Sequence, residues 1–121
     1  MVNEVTDLTF QQEVAENAKP CVILFTAGWC TWCEEMLARM AEVSESMEGE
    51  VKFCTADSDK QRGMRIEFAV GALPYMVMVR DGMKLPLFDQ IVRADQLEER
   101  IRYILDGGKP PLAVPLKPLR V

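Results

Sequence analysis

Apolar residues fall along this chain in two rhythms. Cys21-Val22-Ile23-Leu24-Phe25 is an unbroken run between Pro20 and Thr26-Ala27-Gly28. Its length and its β-branched and aromatic content predict a fully buried parallel strand. From 31 to about 47 the spacing turns helical. Cys33, Met36, Leu37, Met40, Ser44 and Met47 recur every three or four positions, and Glu34, Glu35, Arg39, Glu42 and Glu45 take much of the other side. Gly49 stops this helix. Residues 51 to 56 read as a strand, and Asp57-Ser58-Asp59 opens a polar connection to a short helix over 61 to 68, weakened at its first turn by Gly63. Apolar 75 to 79, then Asp81-Gly82, then 84 to 88 is a hairpin signal. Leu97, Ile101, Ile104 and Leu105 stripe a last helix over about 94 to 105. Asp95 sits near its start and Gly107-Gly108 ends it. At the front, residues 2 to 5 make a short strand. A helix over about 8 to 17 follows, with Phe10 and Val14 on one face and Thr6, Asp7 and Thr9 as caps.

The predicted order is β-α-β-α-β-α-β-β-α. Early β-α-β units favour parallel strands with right-handed crossovers, and the late hairpin adds an antiparallel edge. The expected fold is α/β, a central mixed sheet with helices on both faces. Residues 1–106 form one domain, and 107–121 form a Gly/Pro-rich tail carrying four of the seven prolines. Such a tail cannot continue the helix, and is either extended over the surface or disordered.

Composition narrows the chemistry. An apolar fraction of 49% excludes wholesale disorder. The formal charge of -5 and the lack of a basic block argue against nucleic acid as a partner. No window is long and apolar enough for a transmembrane span. Histidine is absent, which removes His-based triads, zinc sites with His ligands and His-bound haem. Thiol chemistry needs no imidazole, and four cysteines remain: Cys21, Cys30, Cys33 and Cys54.

Trp29-Cys30-Thr31-Trp32-Cys33 lies between the buried strand and the long helix. Cys30 then falls at a helix N-terminus, where free N–H groups and the helix dipole stabilise a thiolate. Cys30 is expected to face solvent; Cys33, largely covered, follows within one turn, close enough to resolve a mixed disulfide. These are the two parts that thiol–disulfide exchange requires. The rival for an isolated CxxC is half of a zinc site, and the second ligand pair is missing.

With the WCxxC box goes Leu73-Pro74, placed after Val70-Gly71-Ala72 and before an apolar run. On these residues the chain resembles the thioredoxin-fold family over roughly 2 to 106. The resemblance implies that Pro74 is cis beside the disulfide, and that the backbone of Leu73 pairs with a substrate peptide. It implies a thiol–disulfide oxidoreductase that exchanges disulfides with protein or peptide thiols through Cys30 and Cys33. No bound cofactor and no metal are needed. Its partners are those substrates and an upstream redox partner, and the chain is expected to be a monomer. Departures point to a divergent member. Thr31-Trp32 replaces the usual Gly-Pro. Leu24 stands where the family often buries an acid, Phe53 where it has a lysine, Ala38 where it has a mid-helix proline, and Gln90 where it has a loop glycine.

Trp29, Trp32, Tyr75, Met76 and Met64 are candidates for an apolar patch around Cys30. Trp29 and Trp32 are expected at the surface, and Met76 fits the core better. Glu34 and Glu35 adjoin the motif, where a first-turn acid favours the helix dipole more readily than it takes a catalytic role. Cys21 and Cys54 read as buried thiols, although neighbouring strands could permit a bridge. Two other functions stay open: a non-enzymatic docking module on this fold, and a thiol carrier for a soft metal ion. Direction of exchange is open as well. An intact Met1 favours the cytoplasm and the divergence favours a periplasmic protein whose leader is removed; the cytoplasm is the expected compartment.

Overall fold

The computed structural model describes residues 1–109 and 112–120. Its strands are β1 (Val2–Glu4), β2 (Cys21–Thr26), β3 (Lys52–Asp57), β4 (Tyr75–Arg80), β5 (Met83–Phe88) and β6 (Val114–Pro115). Its α-helices are α1 (Thr31–Ser46), α2 (Arg62–Glu67) and α3 (Ala94–Leu105). One sheet takes the order β1-β3-β2-β4-β5-β6. β1, β3 and β2 run parallel, whereas β4, β5 and β6 each pair antiparallel to their inner neighbour.

β2 is central, and residues 21 to 25 have no exposed surface. Its alternation sorts the core into two layers. Val22 and Leu24 join Met36, Met40 and Val43 of α1, Met47 at its C-cap, and Leu97, Ile101 and Ile104 of α3. Cys21, Ile23 and Phe25 join Phe10, Val14, Met64 and Phe68 on the opposite face. That two-faced burial is why β2 reads as a continuous apolar run. Asp81 and Gly82 both take positive φ, 52° and 74°, in the two-residue turn joining β4 to β5. This is the conformation that an Asp-Gly hairpin turn favours.

Two elements differ from the sequence expectation. The first helix contracts to a short π-helical segment, Gln11–Ala15, in which the Glu16 N–H donates to the Gln11 carbonyl five residues back. Thr6 and Thr9 do cap the start of this region: each backbone N–H donates to the other's hydroxyl. Asp7 serves a different helix. Its carboxylate accepts the N–H groups of Gly63 and Met64 at 2.7 and 2.9 Å, and so caps α2 from far along the chain. A Cβ on Gly63 would meet that carboxylate at 3.0–3.2 Å, so the close approach accounts for the glycine. Asp7→Ala is expected to cost about 1–2 kcal/mol, read as a lower urea midpoint, with Asp7→Asn recovering most of it.

The second difference is in the tail. Its described residues follow the extended course of the two expected, and β6 adds to the edge of β5 through Val114 and Pro115. Leu116 and Leu119 pack against the core layer that contains Phe68 and Val79.

Candidate functional site

The β2–α1 junction sets the site. The Cys30 N–H donates to the Ala27 carbonyl at 3.0 Å, which closes a tight turn. Cys30 is then the N-cap of α1, still extended at φ −88° and ψ 103°, and Cys33 lies within the first turn. The two form a disulfide with Cα atoms 5.4 Å apart. Ala27 and the partly buried Leu73 pack around it. The β2–β4 register ends with Phe25 opposite Tyr75, the residue that follows Pro74. The Leu73–Pro74 peptide bond is cis.

Cys30 was expected to face solvent, and in the disulfide it is only 8% exposed against 3% for Cys33. In the oxidised protein Ala27 and Leu73 pack against the bonded pair and cover most of Cys30. The exposed apolar surface instead belongs to Trp29 and Trp32, at 69% and 62%. Thr31, between Cys30 and Trp32, is exposed as well. Met64 and Met76 have no exposed surface and so contribute nothing to a surface patch, while Tyr75 is half-buried.

Trp29 is held rather than free. Its indole N–H donates to Asp59 Oδ2 at 3.0 Å. Asp59 lies in the β3–α2 connection, which Asp57 organises by accepting the N–H groups of Asp59 and Lys60. The Ser58 N–H ties this loop to β2 by donating to the Thr26 carbonyl at 2.8 Å. Asp59 was missed at the sequence level, because nothing local marks a partner thirty residues away. The turn-rich Asp57-Ser58-Asp59 string was the available signal.

The interior behind the disulfide is apolar. Leu24 is fully buried among the α1 and α3 side chains, and Phe53 is almost so. Ser44 and Ser58 are the buried polar side chains among the described residues. No acid or base therefore stands inside to take a proton from Cys33, whose Sγ lies 4.0 Å from the Phe25 carbonyl. Glu34 and Glu35 are exposed, and Glu35 is bound to Arg39 at 3.2 Å. The described residues contain no group of three side chains able to hold a metal ion, and no helix long and apolar enough to cross a membrane.

Cys21 and Cys54 are free and buried. Cys54 lies opposite Ile23 and Cys21 opposite Lys52, so the pair is offset by two residues on neighbouring strands. That diagonal is about 8 Å between Cα atoms, beyond the roughly 7 Å limit for a bridge without backbone movement. Burial is the main cause that pushes the Cys21 thiol up to about 11, against the pull of Lys52. Burial, then the neighbouring Cys21, pushes Cys54 up to about 12. Both thiols are expected to resist iodoacetamide at neutral pH until the protein unfolds. In alkali the unfolded thiols ionise first, around 9.0, while the folded ones keep their protons. Stability should therefore fall as pH rises from about 9 toward 11, and a Cys21→Ala/Cys54→Ala variant should lose much of that slope.

A disulfide at a helix start, beside a cis-proline loop on a mixed sheet, defines a thiol–disulfide oxidoreductase of the thioredoxin fold. The thioredoxin family model matches residues 1–103. A thioredoxin of Rickettsia typhi is 30% identical over 82 residues, covering 68% of this chain and 78% of that protein. Chloroplastic thioredoxin Y of Oryza sativa is 26% identical over 101 residues, 84% of this chain and 60% of that protein. In the crystal structure of chloroplastic thioredoxin z the same fold recurs, with a TM-score of 0.78 at 22% identity, over 88% of this chain and 96% of that one. The chain belongs to the thioredoxin family.

Proposed function

We propose that Cys30 is the sulfur that exchanges with substrate, that Cys33 resolves, and that Trp29, Thr31, Trp32, Leu73 and Pro74 line the groove receiving the substrate peptide. The observation that carries this reading is the position of Cys30. It caps α1, where unpaired N–H groups favour its thiolate; exposed Trp29 and Trp32 flank it in the chain, and Leu73 packs against it. In the reducing direction the Cys30 thiolate attacks one sulfur of a substrate disulfide. A mixed disulfide forms, and the other substrate sulfur leaves as a thiolate that takes a proton from solvent. Cys33 then gives up its proton and attacks Cys30 Sγ. The Cys30–Cys33 disulfide forms and the second substrate thiol departs. An upstream dithiol donor reverses these steps on the enzyme. The reaction uses no bound cofactor or metal, because the two electrons pass between sulfur pairs.

With no buried acid behind it, Cys33 delivers its proton to water or to the leaving substrate thiolate. The working unit is a monomer. The compartment proposed is the cytoplasm, which two unpaired buried thiols support, since such thiols persist where reductants are abundant.

Trp32 provides the test of the groove. Its exposed ring would form one wall, and an aromatic contact made in the transition state is worth roughly 1 kcal/mol, about five-fold in rate. Trp32→Ala is expected to slow exchange with a peptide disulfide by about that factor and to leave exchange with a small-molecule disulfide unchanged. Equal slowing of both would transfer the role of Trp32 from the groove to the thiol chemistry, and no change in either would remove it from the site.

A further inference from the structure

The thioredoxin match ends at residue 103, yet the tail beyond it is docked rather than idle. Val114 pairs with Lys84, Pro115 pairs with Met83, and the Leu116 N–H donates to the Gly82 carbonyl at 2.8 Å. The Lys117 N–H then donates to Glu67 Oε2 at 2.8 Å. Leu116 and Leu119 seat against the core layer under α2.

These contacts fall on the outer edge of β5, where an unpaired strand is a template for another chain. Strand alternation turns the backbone of Lys84 and Pro86 outward, and the carbonyl of the turn residue Gly82 faces the same way. The tail takes Gly82 and Lys84, and Pro86 has no N–H to offer. Pro115 itself falls between the pairs that exchange hydrogen bonds, where a missing N–H costs nothing. Lysine at an edge ordinarily deters pairing by its charge. Here Lys84 Nζ is committed to Glu67, at 2.7 Å to Oε2 and 2.6 Å to the carbonyl oxygen. The tail is therefore what closes this edge.

We infer that residues 114–119 are a strap holding in cis a strand-addition site on β5, and that the partner it excludes is a second copy of this chain. Strand addition reads backbone rather than side chains, and the partner always present at matching concentration is another copy. Two β5 edges related by a twofold through Lys84 would place Gly82 of one opposite Pro86 of the other. The two Lys84 backbones would face each other there, each N–H meeting the other's carbonyl, so the contact closes on itself as a dimer.

The test uses the full chain. Leu116→Asp/Leu119→Asp is designed to unseat the strap, and Lys117→Pro loosens it by deleting the N–H given to Glu67. Neither touches the disulfide, so exchange with a small-molecule disulfide reports that each variant is folded. In the parent, the Lys84 amide should exchange slowly with deuterium and sedimentation should give one chain at every concentration. In the double variant, the amide should exchange freely when dilute, and the mass should approach twice that of the parent as concentration rises. Lys117→Pro should do the same to a smaller extent, and decides the matter if the double variant does not fold. A synthetic peptide of residues 112–121 added in excess should return either variant to one chain. A fast Lys84 amide in the parent overturns the strap. A variant with a fast amide that stays at one chain at every concentration overturns the excluded dimer, as does a dimer that the peptide fails to dissociate.

Discussion

Replacing Cys33 with serine should halt exchange at the mixed disulfide, and replacing Cys30 with serine should keep it from starting. Turnover should fall by several orders of magnitude in both, but the species that accumulate should differ. Cys33 lies within one turn of Cys30 and its sulfur is already bonded there in the oxidised protein. Without it, no internal thiol can displace the bound substrate: Cys21 and Cys54 lie in the core and hold their protons up to about 11 and about 12. Cys33→Ser should therefore retain substrate as a covalent adduct that survives denaturation and is released by excess dithiol. Cys30→Ser should retain none. Adduct formation on Cys30→Ser through Cys33 would exchange the assigned roles, and full turnover by either variant would end the two-cysteine mechanism.

Phe25→Ala should be the most damaging single substitution in the sheet, at about 3–5 kcal/mol. For a chain of this size that lowers the melting temperature by on the order of 10–20 °C. Phe25 is completely buried on the central strand. Its ring centroid lies 5.4 Å from that of Phe68 and 6.1 Å from that of Tyr75, and Phe68 in turn meets Phe10 edge-on at 5.8 Å. One ring thus joins the strand before the cysteines to the residue after Pro74 and to the end of α2. Removing it leaves a cavity between elements tied by sheet hydrogen bonds, which cannot close over it. Phe25→Leu, which refills much of the volume, should cost well under half as much. Equal losses for the two would show that the aromatic contacts, rather than the volume, carry the effect.

How much of this was legible follows from where each signal resides. β2 and α3 could be read because their burial is written in consecutive or periodic residues, and residues 94 to 105 were bounded as observed. The WCxxC box could be read because helix position and thiol spacing are local. Leu73-Pro74 became legible only through resemblance, since a proline before an apolar run has an ordinary strand-start reading. What failed was long-range pairing. Asp7 looks like a cap for the helix beside it and caps α2 instead. Asp59 looks like a turn residue and also holds Trp29. β6 is two residues long with a proline in it, below what alternation can signal; its existence depends on an open edge that only the assembled sheet creates. The cover on Cys30 likewise comes from Ala27 and Leu73, which are distant or uninformative in sequence.

Six of the eight methionines, Met36, Met40, Met47, Met64, Met76 and Met78, present no surface at all. Thioethers are easily turned into polar sulfoxides, and a protein that trades in sulfur oxidation states works among the reagents that do so. Peroxide reaching the intact fold finds Met1 and, partly, Met83. The other six become targets only when the sheet and helices separate, and a sulfoxide formed then is too polar to be repacked without penalty. Transient opening under oxidative stress is therefore recorded irreversibly unless a reductase intervenes. The count of core sulfoxides measures how often a molecule has opened, independently of how many times its disulfide has cycled.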